Sequence, residues 1–189
     1  MCIEGRKVAF LDRDGVINID VGYIHDWSDF TFLPGAISGL KKLTEFGYYI
    51  VIITNQSGIA RQYFTIEQYA RLTKQFLSTM QSLSIEVLDV YMCPHHPQGT
   101  DPEYSKRCDC RKPKPGMILN AQLEHNINIK KSILIGDKLT DIQAGYSAGI
   151  PNCFLLKSKY LVDKALTESV FENWDTLMQA ITHGEVTIK

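Results

Sequence analysis

Short apolar runs alternate with longer amphipathic stretches along the chain. Short runs rich in branched and aromatic side chains are typical of buried strands. They predict strands over residues 7–11, 48–54, 87–92, 132–135 and 152–156. The amphipathic stretches predict helices over residues 34–46, 65–83, 115–124 and 140–148, with a final helix over about 173–181.

The most clearly defined helix begins at Thr65, with Gln68 three positions later as in a capping box. Its apolar stripe, which we assign to core packing, consists of Ile66, Tyr69, Thr73, Phe76, Met80 and Leu83. Strands that alternate with helices favour a mainly parallel sheet with right-handed crossovers. We therefore predict an α/β fold, a doubly wound sheet with helices on both faces.

The composition fits one soluble globular domain, which we place over residues 1–189. Of these residues, 44% are hydrophobic and 22% are charged, enough for a substantial core. The formal net charge is −1 and no block of Lys or Arg stands apart, which argues against nucleic acid and membrane surfaces as partners. A small molecule is the expected partner, and we expect a monomer.

The sequence predicts a cytoplasmic protein. Asp12 and Asp14 stand where a signal peptide would need its cleavage site. The longest apolar or aromatic run, residues 48–53, is far shorter than the ~20 residues that cross a bilayer. Cytoplasmic thiols are kept reduced, so the five cysteines are poor candidates for disulfides.

Polar residues follow three of the predicted strands directly. They are Asp12-Arg13-Asp14-Gly15, Thr54-Asn55-Gln56-Ser57-Gly58, and Gly136-Asp137-Lys138 followed by Asp141. In open parallel sheets, ligands bind beyond the carboxyl ends of the strands, and no dinucleotide or P-loop motif is present. Aspartates gathered there repel one another unless a cation lies among them, and Mg²⁺ prefers such oxygen ligands. Turn capping by Asp12 and Asp14 is the alternative interpretation.

Cysteine and histidine are concentrated between residues 92 and 110. Cys93-x-His95 and Cys108-x-Cys110 are both i, i+2 pairs, which share a face in extended backbone. Three thiolates and one imidazole suit a closed, structural zinc site. The spacing differs from the common C-x-x-C, so the residues alone leave free thiols as an alternative and His96 as a rival fourth ligand.

These motifs together resemble those of a known superfamily. Asp12-x-Asp14-Gly15, Thr54-Asn55, Lys112 and Gly136-Asp137-x-x-x-Asp141 resemble the four motifs of the haloacid dehalogenase superfamily of phosphatases. The CPHHPQG and CDCRKPKPGM segments resemble its zinc-loop branch, which includes phosphatases of heptose bisphosphate and of histidinol phosphate. The resemblance implies a zinc loop over about residues 93–116, with zinc on Cys93, His95, Cys108 and Cys110. It covers residues 7 to about 157, and the tail after Ser158 carries no readable motif.

The resemblance implies phosphate-ester hydrolysis by two in-line displacements. Asp12 would attack phosphorus to give an aspartyl phosphate, and Asp14 would act as general acid and base. The implied Mg²⁺ ligands are Asp12, the backbone carbonyl of Asp14, and Asp137, while Asp141 orders the loop behind it. Thr54, Asn55 and Lys112 would face the phosphoryl oxygens. A turn-forming hydroxyl and a solvated surface charge are the alternative interpretations of Thr54 and Lys112.

The substrate is inferred from the residues around this centre. The stretch from Asp14 to Pro34 is too short for a cap domain, so a minimal cap and an open cleft are expected. Asp20, Gly22 and Tyr23 resemble a short substrate-facing loop, with a plain turn as the alternative. Gln56, Ser57 and Lys138 complete the expected substrate-binding set together with Asn55 and Arg111.

Arg111 offers a planar charged fork for a second phosphate. Together with the resemblance, this favours hydrolysis of the C7 phosphate of D-glycero-D-manno-heptose 1,7-bisphosphate over histidinol phosphate. The resemblance implies that this reaction is a step towards lipopolysaccharide core precursors. A phospho-ligand binding module without catalysis is disfavoured because Asp12 and Asp14 are both present. Phosphotransferase activity, in which an acceptor other than water attacks the aspartyl phosphate, is a further alternative.

Overall fold

Six parallel strands form the central sheet within the residues that the structure describes. The computed structural model describes residues 5–160 and 169–184. Its strands are β1 (Val8–Leu11), β2 (Tyr49–Asn55), β3 (Val87–Cys93), β4 (Ile133–Gly136), β5 (Asn152–Leu156) and β6 (Val170–Phe171). Their order is β3-β2-β1-β4-β5-β6, and every neighbouring pair is parallel. The five predicted strands are confirmed to within one residue at each end, whereas β6 was not predicted.

In the described parts of the chain, five α-helices connect and follow these strands. They are α1 (Ala36–Glu45), α2 (Ile66–Ser82), α3 (Gly116–His125), α4 (Leu139–Ala148) and α5 (Trp174–Thr182). Thr65 and Gln68 form the predicted capping box at the start of α2, each side chain bonding to the backbone of the other residue. Helix α1 begins two residues later than predicted because Gly35 adopts a left-handed conformation, with φ of 81°.

The alternation of side chains along each strand divides the core into two layers. In β1, Ala9 and Leu11 point into a cluster that holds the buried side chains of α1, α2 and α5. Val8 and Phe10 point to the opposite face and into the cluster beneath α3 and α4. Because both faces of a parallel sheet must be covered, the strands are apolar on both sides. The doubly wound α/β fold is therefore confirmed.

Helix α5 secures the turn that follows β1. Trp174 is fully buried, and its Nε1 donates a hydrogen bond of 2.7 Å to the carbonyl of Val16. Its ring lies against Gly39 of α1, where any Cβ would overlap the indole. The C-terminal part of the chain thus supports residues 12–18, which carry two of the predicted catalytic groups.

Within the described ranges, no helix is both long enough and apolar enough to cross a membrane.

Candidate active site

The neighbouring strands β1 and β4 bring three acidic side chains to one edge of the sheet. Asp12 follows β1 directly, Asp137 follows β4, and Asp141 lies in the first turn of α4. The three carboxyl groups can place oxygens within 4.8 Å of one another. Their exposed fractions are 6%, 0% and 1%, so the cluster is almost dry. Such a cluster repels itself strongly unless cations compensate it.

Lys112 supplies one compensating charge. Its Nζ lies 3.0 Å from Asp12 Oδ1 and 2.8 Å from Asp141 Oδ1, and it donates to the Ile53 carbonyl at 2.8 Å. Burial lowers the pKa of Lys112, but attraction to Asp12 and Asp141 outweighs it and raises this pKa above its usual value. The ammonium group is therefore charged. With only 3% of Lys112 exposed, the interpretation as a solvated surface charge is wrong.

Asp137 has weaker charge compensation than Asp12 and Asp141. Among the described residues, neither of its carboxylate oxygens has a hydrogen-bond partner, and Lys138 Nζ is 3.6 Å from Oδ1. Burial, followed by repulsion from Asp12, raises the pKa of Asp137 to about 8, and burial raises that of Asp12 to about 6. Unpartnered buried carboxylate oxygens are costly, and their chemistry suits a hard divalent cation such as Mg²⁺.

Gly15 allows the backbone to pass close to Asp137. It has φ of 90°, and a Cβ at this position would overlap the Asp137 carboxylate. Only glycine satisfies both conditions without strain. The glycine of the first motif therefore shapes the carboxylate cluster directly.

Asp141 orders the loop after β4, as predicted. Its Oδ2 accepts hydrogen bonds from the backbone N–H groups of Asp137 at 3.2 Å and Lys138 at 3.0 Å. Its other oxygen contacts Lys112, which sequence reasoning did not anticipate. Asp141 thus connects the end of β4 to the buried lysine.

The Asp14 carboxylate stands apart from the cluster of Asp12, Asp137 and Asp141. Its oxygens accept hydrogen bonds from Arg13, Asn18 and Gln56. Gln56 Nε2 also donates to Thr54 Oγ1 at 2.8 Å, and Thr54 is 1% exposed. The Thr54 hydroxyl therefore lies below the cleft surface, and its predicted contact with phosphate stays a prediction, as does the Mg²⁺ contact of the Asp14 carbonyl.

A cleft of about 400 Å³ opens above these groups. All predicted catalytic, magnesium-binding and substrate-binding residues line it except Thr54 and Asp137, which are buried beneath. The lining residues are Asp12, Asp14, Asp20, Gly22, Tyr23, Asn55, Gln56, Ser57, Gly58, Arg111, Lys112, Lys138, Thr140, Asp141 and Tyr160. Gly58, Thr140 and Tyr160 were missed. Gly58 and Thr140 belong to segments already singled out, whereas Tyr160 lies in the tail without readable motifs.

The loop carrying Asp20, Gly22 and Tyr23 is both a turn and a cleft wall. Gly22, with φ of 89°, donates its N–H to Asp20 Oδ1 at 2.9 Å. Lys138 Nζ lies 3.3 Å from Asp20 Oδ2 and 4.3 Å from the centre of the Tyr160 ring. Burial raises the pKa of Asp20, but Lys138 and the Gly22 N–H lower it by a larger amount. The pKa of Asp20 is therefore below its usual value, and the carboxyl group is ionised. The loop is thus tied to the start of α4.

The predicted zinc ligands converge. Cys93, His95, Cys108 and Cys110 place their ligand atoms within 4.8 Å of one another. The Sγ of Cys93 is 3.5 Å from that of Cys108, and the Sγ of Cys110 is 3.2 Å from His95 Nδ1. In a tetrahedral zinc site the sulfur atoms are roughly 3.7 Å apart, since Zn–S bonds measure ~2.3 Å. The four side chains fit such a site.

The Cys93 and Cys110 side chains are in contact but form no disulfide. Their Sγ atoms are 2.7 Å apart, longer than a disulfide of ~2.05 Å and shorter than the ~3.7 Å between sulfur atoms bound to one zinc ion. Hydrogen bonding between the two side chains, aided by His95, lowers the pKa of Cys110 to about 5, while the same contact, together with burial, raises the pKa of Cys93.

His96 lies outside this cluster and is not its fourth ligand. Its ring nitrogens are 3.2 and 3.5 Å from Arg61 Nη2, and Nδ1 accepts a hydrogen bond from the backbone of Gln98. Burial, then the charges of Arg111 and Arg61, lower the pKa of His96.

The cysteine cluster is physically connected to the carboxylate cluster. Arg111 and Lys112 follow Cys110 directly, and Arg111 Nη1 donates to the His95 carbonyl at 3.3 Å. On the other side, the Gln56 N–H donates to the Cys93 carbonyl at 2.8 Å. The position of Lys112 therefore depends on how this loop is held.

Comparison with known proteins identifies relatives over most of the chain. A family model described as polynucleotide kinase 3 phosphatase matches residues 7–170. A D-glycero-alpha-D-manno-heptose-1,7-bisphosphate 7-phosphatase of Photorhabdus laumondii is 49% identical over 167 residues, which cover 88% of this chain and 91% of that protein. A D-glycero-beta-D-manno-heptose-1,7-bisphosphate 7-phosphatase of the same organism is 46% identical over 155 residues, which cover 82% of each chain.

A solved structure agrees with these relatives. The D,D-heptose 1,7-bisphosphate phosphatase of B. bronchiseptica, complexed with magnesium and phosphate, has a TM-score of 0.79 at 27% identity, covering 94% of this chain and 99% of that chain. The family predicted from the motifs is thereby confirmed. This chain belongs to the polynucleotide kinase 3 phosphatase family of the haloacid dehalogenase superfamily, alongside heptose bisphosphate phosphatases.

Proposed function

We propose that the protein hydrolyses the C7 phosphate of D-glycero-D-manno-heptose 1,7-bisphosphate in a Mg²⁺-dependent reaction. The observation that carries the proposal is the dry cluster of Asp12, Asp137, Asp141 and Lys112 at the floor of the cleft. Relatives named for this activity support the choice of substrate.

Asp12 is the proposed nucleophile. Its Oδ1 accepts a hydrogen bond of 2.7 Å from the Arg13 N–H and contacts Lys112, which fixes the carboxylate. An Asp12 oxygen forms a bond to the C7 phosphorus while the bond from phosphorus to the sugar oxygen breaks. Lys112 and the Asn55 amide stabilise charge on the phosphoryl oxygens.

Asp14 is the proposed proton carrier. In the first step its proton passes to the leaving sugar oxygen, and in the second it accepts a proton from the water that attacks the aspartyl phosphate. The products are inorganic phosphate and heptose 1-phosphate, and both aspartates return to their starting state.

Asp12, Asp137 and the Asp14 carbonyl would hold the Mg²⁺ ion, which when bound neutralises charge on the transferred phosphoryl group. Asp141, already bonded to the backbone and to Lys112, supports this set. Zinc on Cys93, His95, Cys108 and Cys110 would stabilise the loop that carries Arg111 and Lys112.

The cleft offers further cations for a second phosphate. Arg111 and Lys138 line it and belong to different segments of the chain. A bisphosphate can engage such groups at both ends, whereas the imidazole of histidinol phosphate gains little from another cation. We propose a monomer that acts in the cytoplasm, where the zinc-binding thiols stay reduced.

A substrate panel followed by ³¹P NMR tests the proposal. The panel contains both anomers of the heptose 1,7-bisphosphate and histidinol phosphate at equal concentration, each with and without Mg²⁺. We expect Mg²⁺-dependent loss of the C7 signal while the C1 signal persists. Faster release of phosphate from histidinol phosphate would overturn the proposed substrate. Release of phosphate without Mg²⁺ would overturn the proposed metal requirement.

A further inference from the structure

Arg13, between the two catalytic aspartates, has a buried side chain to which no role has been given. Only 2% of the residue is exposed. Its Nη2 lies 2.9 Å from both oxygens of Asp14, and its Nε donates to Asp14 Oδ1 at 3.1 Å. A buried arginine with a carboxylate partner forms a strong, directional contact because its donors lie in one plane.

The guanidinium also has contacts other than those with Asp14. Its Nη2 also donates to the Ile24 carbonyl at 3.2 Å, and its Cζ lies 5.9 Å from the ring centre of Tyr69 on α2. Tyr69 is itself buried, with 7% exposed. The Arg13 carbonyl accepts hydrogen bonds from the Ile17 and Asn18 N–H groups and so closes the turn after β1. Arg13 is therefore fixed at both its backbone and its side chain.

In this position the Arg13 side chain does not use all of its hydrogen-bond donors. Its Nη1 is buried, and the described residues provide it with no hydrogen-bond partner. An unpaired buried donor costs stability. The donors turned towards Asp14 indicate that the arrangement serves the carboxylate.

The Asp14 carboxylate is fixed in its plane. Oδ1 accepts from Arg13 and from Asn18 Nδ2 at 3.0 Å, while Oδ2 accepts from Arg13 and from Gln56 Nε2 at 3.0 Å. Asn18 and Gln56 are both buried. Of the residues that the structure describes, Arg13 alone touches both oxygens, so it sets the angle at which the carboxyl group meets a proton partner.

We propose that Arg13 is a positioning residue that orients Asp14 for proton transfer in both halves of the reaction. This inference rests on the proposed function, in which Asp14 first donates a proton to the leaving oxygen and then accepts one from water. Proton transfer depends steeply on alignment, and a misplacement of ~1 Å can cost about 10²-fold in rate. Loss of the planar contact therefore slows both proton transfers and leaves substrate binding intact.

Arg13→Lys tests this with p-nitrophenyl phosphate, because nitrophenolate leaves without a proton. Formation of the aspartyl phosphate is then insensitive to Asp14, while its hydrolysis is not. We expect stopped flow to show a burst of nitrophenolate at close to the wild-type rate, followed by turnover about 10- to 100-fold slower than wild type. Because the slowed step follows phosphoryl transfer, KM should fall together with turnover, and kcat/KM should change by less than about twofold. On the heptose bisphosphate, where both steps need Asp14, kcat should fall about 10- to 100-fold.

Two further variants give the reference points. Asp14→Asn should show the same burst, and adding Arg13→Lys to it should lower turnover by no more than about twofold, because the two residues act through one group. Lys157→Gln removes the exposed contact of 2.8 Å with Glu172 and should behave as wild type. If Arg13→Lys does not fold, Arg13→Gln, which keeps a donor but no charge, takes its place.

If Arg13→Lys lowers the burst rate and the turnover rate by the same factor, Arg13 has only a structural role and the inference is overturned. Unchanged turnover would also overturn it, as would a large further loss in the double variant. If Asp12→Asn keeps phosphatase activity, the proposed function itself fails. If Asp12 and Asp14 are both required while Arg13→Lys turns over normally, only the role of Arg13 fails.

Discussion

The side chain of Asn55 holds both backbone groups of Lys112. Its Oδ1 accepts the Lys112 N–H at 3.1 Å, and its Nδ2 donates to the Lys112 carbonyl at 3.2 Å. Asn55 ends β2, while Lys112 belongs to the loop that carries the cysteines. One amide thus docks that loop on the sheet beside Asp12. The position of Lys112 depends on this contact as well as on its own charge.

Replacement of Asn55 by alanine should therefore lower kcat/KM. Each lost hydrogen bond contributes ~1 kcal/mol, so loss of both predicts a decrease of about 30-fold, to which loss of the proposed Asn55 contact with the phosphoryl oxygens adds. Steady-state kinetics of Asn55→Ala measures this. Asn120→Ala, at an exposed position of α3, is the control and should keep full activity. An Asn55→Ala enzyme as active as the control would contradict the docking role.

Cys108→Ala should release zinc and loosen the loop before Lys112. We expect zinc content to fall below one per chain, KM to rise, and stability to drop by more than the ~1 kcal/mol usual for a point substitution. Mass spectrometry of bound metal and thermal unfolding measure the outcome. Cys153→Ala is the matched control, because Cys153 is buried in β5 against Gly145 and belongs to no metal cluster among the described residues. Normal zinc content and kinetics in Cys108→Ala would count against the site.

The carboxylate cluster predicts a pH-dependent effect of Mg²⁺ on stability. Burial raises the pKa of Asp12 to about 6 and of Asp137 to about 8, compared with ~3.9 for aspartate in an unfolded chain. The folded protein thus binds these protons more tightly, so without Mg²⁺ its stability falls as the pH rises from about 4 through 6 to 8. Bound Mg²⁺ relieves the repulsion, and its effect on Tm should be larger at pH 8 than at pH 5.

Thermal melts at both pH values, with and without Mg²⁺, measure this effect. Asp137→Asn provides the comparison, because it removes the group whose pKa is raised most among the carboxyls of the described residues. This variant should lose most of the Mg²⁺-dependent increase in Tm. Equal increases at the two pH values in the wild type would show that these carboxyl groups do not bind the ion.

Gly15→Ala should disturb Asp137 more than it strains the backbone. A left-handed residue with a Cβ costs ~1 kcal/mol, but at Gly15 that Cβ also overlaps the Asp137 carboxylate. We expect kcat to fall about 10²-fold and the Mg²⁺ requirement to rise. Gly184→Ala is the matched control, with φ of 71° and nothing within 4 Å of a Cβ, and should show backbone strain alone. Equal kinetics in the two variants would contradict the close contact.

Periodicity and local motifs predicted the elements and the edge of the sheet that carries the chemistry. Asp12 and Asp137 follow their strands directly, so their convergence needs only the strand order. Lys112 could be assigned only by resemblance, because its path from the cysteine segment to the interior depends on the Asn55 contact and on the fold of the loop. Tyr160 could not be foreseen, since the turn after β5 carries it to the cleft from a segment without periodicity. The inward direction of Arg13 likewise depends on Tyr69 and the Ile24 carbonyl, which are distant in sequence.

The most direct test of the account is the chemical identity of the phosphorylated residue. Asp14→Asn enzyme is mixed with Mg²⁺ and p-nitrophenyl phosphate, whose leaving group needs no proton from Asp14. The mixture is quenched, reduced with borohydride, and digested for mass spectrometry, since reduction converts an aspartyl phosphate to homoserine. We predict homoserine at position 12, dependent on substrate and Mg²⁺. Homoserine at another aspartate, or none at all while phosphate is still released, would contradict the proposal that Asp12 attacks phosphorus beside Asp137 and Lys112.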